Sequence, residues 1–501
     1  MKRFAVLALI LSAVSAAPAA AEKTLRIGVT GLAPSVFNPY ANTGLPYTYS
    51  WSAVFDALTV IDAKGVVQPW LATSWENVDP LTWRFVLRDD VLFSDGTTMT
   101  ADAAVAVGEL LINIDQSRSV VARMMSFLES FRAIDARTVE IKTKIPIPLL
   151  PRFLSMFYIS EPERLRRLGI DEFGRQPVAT GPFVLETFAP NRATLRAHTS
   201  SWRRPQVDRL EIRAAPDAAT RRAAVESGQM DIAMNMGPEE TGAIIASGGK
   251  RVTWRDNSLW AFHFNGTDGT PYRYAPFNDI RVREALNIAI DRKTIIETFL
   301  ENQTVAATQP GTETAFGFNP DLPPIPFDPD RARRLLAEAG HASGLNVVLE
   351  VTVGSAPNDG AIAQTVAQQL GDVGVKVEVR QISTPQLIRN VVEGTWGEAM
   401  FGLHYSLEPT ADVLRGLDTA SCLWPHPWYC NPATTADIRA GHAEFDPDKA
   451  LALRQKVMAA YRADWPAVFM YQAVRFAGLR GNISGFAIAN NYIYYDKITK
   501  D

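Results

Sequence analysis

Between Phe327 and Val379 the chain spells out helix, helix and strand with their ends marked, and that order admits few architectures. In Phe327-Asp-Pro-Asp-Arg-Ala-Arg-Arg-Leu-Leu-Ala-Glu-Ala-Gly340, Asp328 stands where a cap accepts backbone N–H groups, and Pro329 suits the first turn. Leu335, Leu336 and Ala339 share one face, and Gly340 suits the closing position. A second helix is expected over Ala361 to Leu370, broken by Gly371 to Gly374. Val375-Lys-Val-Glu-Val379 then alternates like a strand with one face buried, as does Thr24-Leu-Arg-Ile-Gly-Val29. Helices interleaved with strands pack as layers on a sheet, so the expected class is α/β. Two proline-rich joints, Ile145-Pro-Ile-Pro148 and Pro320 to Pro329, read as ordered crossings between elements.

The first residues bear on location. Lys2 and Arg3 precede an apolar run from Phe4 to Val14, and Ala19-Ala20-Ala21 precedes Glu22-Lys23. This is the pattern of a secretory signal peptide, residues 1–21, with an uncleaved anchoring segment as the alternative. No Cys stands at the cleavage point, so a lipid anchor is not expected, and the mature chain should begin near Glu22. No later stretch approaches 18 consecutive apolar residues, so no membrane-spanning helix is expected. Without Lys2 and Arg3 the chain carries 48 basic and 54 acidic residues, a net charge of −6, which argues against nucleic acid as a partner.

The two cysteines, Cys422 and Cys430, lie in Ser421-Cys-Leu-Trp-Pro-His-Pro-Trp-Tyr-Cys430. In an exported chain so close a pair reads as a disulfide staple on a loop. The alternative is a metal site that adds His426 to the two thiolates, for which no fourth ligand stands out.

Several blocks, taken together, resemble a known family nearly end to end. They are Pro69-Trp-Leu-Ala-Thr-Ser-Trp75 with Leu81 to Gly96 and Thr100-Ala-Asp102, then Thr180-Gly-Pro-Phe183 and Val225 to Ile232. Phe277-Asn-Asp-Ile-Arg-Val-Arg-Glu-Ala-Leu-Asn-Ile-Ala-Ile-Asp-Arg292 and the Phe327–Gly340 helix follow in the same order. The chain is similar to solute-binding proteins of the peptide/nickel class, bacterial solute-binding protein family 5, the extracytoplasmic receptors of ABC importers. Read from the residues alone, Asp279, Arg281, Arg283 and Glu284 look like a solvated helix face with weak ion pairs.

The resemblance implies a two-lobed periplasmic-binding-protein (Venus-flytrap) fold with an additional small domain. The first lobe would comprise residues 22–58, 178–266 and 479–501, the extra domain 59–177, and the other lobe 267–478. Phe262, His263 and Asn265 would form one crossing between lobes, and a second would fall near Arg475 to Leu479. The implied partners are a small-molecule solute and an ABC permease heterodimer of the inner membrane, docked transiently by a monomeric receptor. A periplasmic home follows for a Gram-negative source. Presentation of the ligand to a sensor kinase or chemoreceptor is the alternative.

Ligand class can be tested position by position. Setting Glu408-Pro409 on the family's acidic-Pro pair places Tyr405 where the peptide-binding branches carry the Asp that meets the α-ammonium. Registering Val373 to Val377 on the matching strand puts Val353 where the dipeptide branch carries a carboxylate-holding Arg. A buried ammonium lacking its carboxylate costs several kcal/mol, so a free dipeptide is not expected. The candidate ligand-binding residues are Tyr40, Tyr47, Trp396, Phe401, His404, Tyr405, Glu408 and Trp424, beside Tyr49, Trp428 and Tyr429, whereas Trp51, before Val54-Phe55 and Leu58, reads as core. Aromatic faces with scattered polar groups suit an oligosaccharide or glycoconjugate, then a blocked or longer peptide. A metal–chelator complex with His404 as ligand is the third reading, because the six histidines form no i, i+4 pair. No cofactor and no bare metal ion are expected. The chain also lacks a G-x-S-x-G elbow and an H-E-x-x-H pair, so it reads as a binding protein and not an enzyme.

Overall fold

Alternation in Thr24–Val29 produces a strand over those residues, with Leu25, Ile27 and Val29 turned into the core. The computed structural model describes residues 22–266 and 272–501; the expected signal peptide lies outside the described residues. The helix foreseen after Phe327 spans Pro329–Glu338, with the Asp328 carboxylate accepting from the Arg331 N–H at 2.8 Å. Ala332 and Leu336 are its buried contacts, and Gly340 takes the left-handed conformation that ends it. The next helix, Asp359–Asp372, leads into the strand Val375–Gln381.

Ten strands form one mixed sheet, in the order Val375–Gln381, Leu345–Val351, Met400–Ser406, Lys250–Phe264, Ala467–Leu479, Ile232–Met236, Thr24–Val29, Arg209–Ala214, Arg192–Ala197 and Phe183–Ala189. The two long central strands are shared by both halves. Lys250–Arg255 pairs with Val474–Leu479 beside the N-terminal strands, and Leu259–His263 pairs with 467–472 beside the C-terminal ones. Pairing breaks between Arg255 and Leu259. One core gathers side chains between Leu25 and Ile212 with those of the tail, Ile483 to Ile498, and a second gathers mainly residues 259–476. The result is an α/β fold of two lobes. A separate four-stranded antiparallel sheet, Ala72–Asp79, Thr82–Leu87, Thr138–Thr143 and Leu128–Ala133, packs into the first core with the helix Ala101–Asn113. No helix among the described residues is long and apolar enough to cross a membrane.

The N-terminal lobe is tied by one fully buried carboxylate. Asp56 accepts hydrogen bonds from Trp70 (3.0 Å), Trp202 (2.9 Å), Thr180 (2.9 Å) and the Tyr492 hydroxyl (3.0 Å), and pairs with Arg203 at 2.7 Å. Burial opposes its ionisation. Arg203, with the donors from Trp202, Trp70 and Thr180, outweighs burial and holds the carboxyl below its usual range. Arg203 also reaches Asp496 at 2.6 Å, so residues from the start, middle and end of the chain meet here.

Motif charges that read as a solvated face divide in the structure. Asp279 caps the helix Ile280–Ile288, and Arg281 pairs with it at the surface. Arg283 is 5% exposed and donates to the carbonyls of Phe277 and Asp464, and Arg292, 4% exposed, donates to those of Phe469, Asn287 and Ile290. Arg292 ties its helix to the central strand at Phe469, and Arg283 ties its helix to the end of the helix Pro447–Asp464, both from inside, an environment that helix periodicity does not specify.

Replacing Asp56 by Asn leaves the buried Arg203 with Asp496 as its one carboxylate and is expected to cost about 3 kcal/mol in denaturant unfolding. Asp496→Asn, at the more exposed end of the network, should cost clearly less.

Candidate functional site

Three polar residues interrupt the longest strand. Asp256, Asn257 and Ser258 occupy the break in pairing, all of them buried, so their polar groups need partners. The Gln472 amide donates to the Asp256 carbonyl at 2.9 Å, and Arg475 pairs with the Asp256 carboxylate at 2.5 Å. Thr312 and Thr314 donate to the Asn257 side-chain oxygen at 3.2 and 2.9 Å. Burial works against the Arg475 charge, and Asp256 with neighbouring Tyr49 and Glu408 more than restores it, raising its pKa.

The lobes meet around this break. From the first lobe come Asn42 to Trp51 and the tail at Ala489 to Tyr492; from the other come Ser406 to Ala411 and the loop Gly354 to Asn358. The Asn490 amide donates to the Pro409 carbonyl at 2.6 Å, and the Asn257 amide to Asn490 at 3.3 Å. Arg152, on the helix Leu150–Phe153, donates to the Gly65 carbonyl at 3.0 Å and across the divide to Thr410 (2.9 Å) and Ala411 (3.2 Å). Gly65 has φ +76°, and a Cβ there would lie 1.7 Å from the Thr314 carbonyl oxygen, so the opposite loop approaches where only glycine fits.

Two spaces open beside the crossing. One is a cleft of about 600 Å³ lined by Leu45, Pro46, Asn235, Gly237, Ser355 and Arg475 among others. The second is a cavity of about 40 Å³ under Glu408-Pro409, walled by Trp51, Ile61, Met156, Tyr158 and Tyr492. Glu408 forms no ion pair among the described residues. Its carboxyl is pushed up to about 8, first by burial and then by Asp256, against the opposing pull of Arg475 and the Asn491 amide. The wall is otherwise neutral: Asn42, Thr43, Thr48, Asn490 and Asn491.

Of the residues singled out from sequence, few lie at this junction. Glu408 lines the cavity, and His404 is half-buried one strand position from Tyr405, its ring 4.4 Å from that of Trp260. Burial, then Arg475 and His263, lowers the His404 pKa to about 3. Tyr47 is half-buried beside Pro46. Tyr405 is 1% exposed and packs on His263 and Phe469, because its side chain points to the face that the C-terminal helices cover. It belongs to the core. Tyr40 is likewise buried, its hydroxyl bonded to the Tyr158 carbonyl and Ser160.

Trp396 and Phe401 stack on each other with centroids 3.5 Å apart, at the far end of the strand Met400–Ser406. That end is about 20 Å from the break, at a rise of about 3.3 Å per residue. The Cys422–Cys430 disulfide forms, and its loop lies at the same far end: the Gly266 N–H donates to the Trp428 carbonyl, and Trp424 donates to the Val391 carbonyl at 2.8 Å. Phe262, His263 and Asn265, expected at the crossing, lie within or just past the strand segment paired in the C-terminal lobe; the break is at 256–258 and, on the partner strand, at 472–474. The second expected crossing, near Arg475 to Leu479, starts one residue beyond the break on the partner strand; Asp256 was absent from the sequence-based site, although three consecutive polar residues inside an apolar strand were a signal. Among the described residues no three His, Cys, Asp or Glu side chains converge as a metal site.

These placements change what mutation should do. Tyr405→Ala is expected to cost about 3–5 kcal/mol as a core cavity, whereas Tyr405→Phe, which removes a hydroxyl lacking a protein partner, should be nearly neutral in thermal unfolding. His263 donates through Nε2 to the Leu403 carbonyl, accepts from Trp428 and is held by burial to about 3. Unfolded histidines bind protons that His263 and His404 refuse, so stability should fall as pH drops from 6.5 toward about 3. His263→Gln should flatten that slope in acid titrations followed by circular dichroism.

Residues 66–422 match the family model for bacterial extracellular solute-binding proteins, family 5 Middle. The chain is 26% identical to heme-binding protein A of Haemophilus influenzae over 74% of this chain and 73% of that protein. It is 24% identical to di/tripeptide-binding protein 2 of Pseudomonas aeruginosa over 96% of each. Among solved structures, the ABC transporter substrate binding protein CtaP of Listeria monocytogenes superposes with a TM-score of 0.84 at 19% identity, covering 96% of this chain and 99% of that one.

Proposed function

As the chain belongs to the bacterial extracellular solute-binding proteins of family 5, we propose that it is the substrate-binding component of an ABC importer. It works in the periplasm and delivers its solute to a permease pair after lobe closure. Residues 22–58, 178–266 and 479–501 act as one lobe with the extra domain 59–177, and 267–478 as the other. Its named relatives are binding proteins whose ligands differ, so the cleft itself must indicate the ligand.

The observation that carries the reading is the charge state of the junction. Asp256 is paired with Arg475, and Asp412 with Arg454 at 2.8 Å, so neither carboxylate is free to hold an ammonium. Glu408 is the one acid lining the small cavity, and burial, then Asp256, favours its neutral form; Asp217 and Glu240, which line the larger cleft, accept from the Thr220 and Gly237 N–H groups. Amides and hydroxyls supply the remaining polar groups of the cavity wall, and the rest is aromatic and aliphatic. Such a wall suits a neutral, hydrogen-bonding solute: an oligosaccharide or glycoconjugate, or a blocked or longer peptide, in preference to a free dipeptide. A metal–chelator complex is the second reading, supported by the neutral imidazole of half-buried His404, which is the form that ligates metal.

Native mass spectrometry of the protein purified without unfolding should show one added mass of a few hundred to about a thousand daltons, the size of solute such clefts enclose. Fragments of a sugar or capped peptide support the first reading, a metal isotope pattern the second, and a free dipeptide overturns both. Glu408→Gln should retain that solute within a few-fold, while Glu408→Lys, which buries a charge, should release it.

A further inference from the structure

The small cavity under Glu408-Pro409 contains polar atoms that nothing in the protein satisfies. Trp51 is 1% exposed and its indole N–H has no acceptor; Asn491 is 7% exposed and its side-chain oxygen has no donor. The Thr48 hydroxyl, also buried and unpartnered, lines the same space. A buried polar atom without a partner costs about 1–3 kcal/mol, so three around one cavity point to an occupant that bonds them. Asn491 and Glu408 line the cavity together.

The unmet set has a definite polarity. It holds one obligate donor, Trp51 Nε1, one obligate acceptor, Asn491 Oδ1, and one hydroxyl able to do either. An ammonium group would leave the Trp51 N–H unmet. A carboxylate would leave the Asn491 oxygen unmet. A hydroxymethyl or primary carboxamide group donates and accepts at once and fits. The cavity of about 40 Å³ has room for about three water-sized atoms, and Trp51, Met156 and Tyr158 close it with apolar surface.

We propose that this cavity is a head-group subsite of the interlobe cleft, one that admits a neutral donor–acceptor group of the solute, hydroxymethyl or carboxamide, and excludes charged ends. The proposal rests on the reading of the cleft as a solute site. It makes Trp51, Thr48 and Asn491 the residues that set specificity, with Glu408 roofing the pocket. Because the pocket closes only when the Glu408-Pro409 turn meets the tail at Asn490, a solute whose end group fails to enter also fails to hold the lobes together.

Crystals of the whole protein, soaked at about pH 6 where Glu408 keeps its proton, separate the possibilities. Acetamide, ethylene glycol, methylammonium and acetate are offered singly at equal concentration. Acetamide or ethylene glycol ordered on both Trp51 Nε1 and Asn491 Oδ1 supports the subsite. Ordered water alone in every soak, or preference for acetate or methylammonium, overturns it. In parallel, Trp51→Phe and Asn491→Gly, the latter keeping the left-handed backbone at φ 65° without strain, should each weaken retention of the co-purified solute about tenfold, the effect of one lost hydrogen bond. Circular dichroism of both variants confirms that they fold. Wild-type retention by two folded variants overturns the subsite and leaves the transport reading intact. A wild-type protein that holds no solute speaks against the transport reading, while the soaks still decide the subsite.

Discussion

The ion pair between Asp256 and Arg475 stands where the central sheet must be continuous and broken at once. Two strands of 15 and 13 residues run through both lobes, and a regular ladder along their full length would make one stiff sheet without a cleft. Dropping the pairing between Arg255 and Leu259 creates the joint but buries backbone groups that water cannot reach. The Gln472 amide takes up the Asp256 carbonyl and the Leu407 N–H that of Asn257, while Arg475, Thr312 and Thr314 hold the Asp256 and Asn257 side chains, so the joint keeps a defined geometry. Every space discussed as a solute site opens beside this repair.

Much of the scaffold was legible in the sequence because it rests on local chemistry. Asp328, Pro329 and Gly340 bound a helix through rules that act over a few residues, and the close cysteine pair needed no distant information. The aromatic candidates show the opposite case. Trp396, Phe401 and Tyr405 have the composition of a binding surface, but composition does not tell which end of a strand faces the junction or which face the helices cover. The atoms that surround the cavity come from Trp51, Glu408 and Asn491, three positions far apart in the chain, and only the fold brings them together. The left-handed backbone at Asn490 and Asn491, which asparagine tolerates well, was within reach of sequence reasoning as a turn but not as part of a site.

Arginine carries an unusual share of the interior. Arg221 and Arg292 are buried and satisfied by backbone carbonyls, with no carboxylate at ion-pair distance among the described residues. A guanidinium has five donors in a rigid fork, so one side chain can gather several strand and helix ends that have carbonyls to spare. Arg152 does the same between lobes, drawing carbonyls of Gly65, Thr410 and Ala411 to one point. It thereby adds to the closed state without occupying the space left for a solute.

The buried carboxylate of Asp56 also has a consequence for how the chain becomes a protein. Its partners include Tyr492, and the Arg203 it holds is completed by Asp496, within the last ten residues. Without that segment the first lobe contains an ion pair with part of its shell missing, and its core lacks Ile493, Tyr495 and Ile498. Contacts spanning over four hundred residues form late because the whole intervening loop must close. The pair is therefore complete only when segments from both sides of that long loop have docked, so the first lobe and the segment from Tyr492 to Ile498 become stable together.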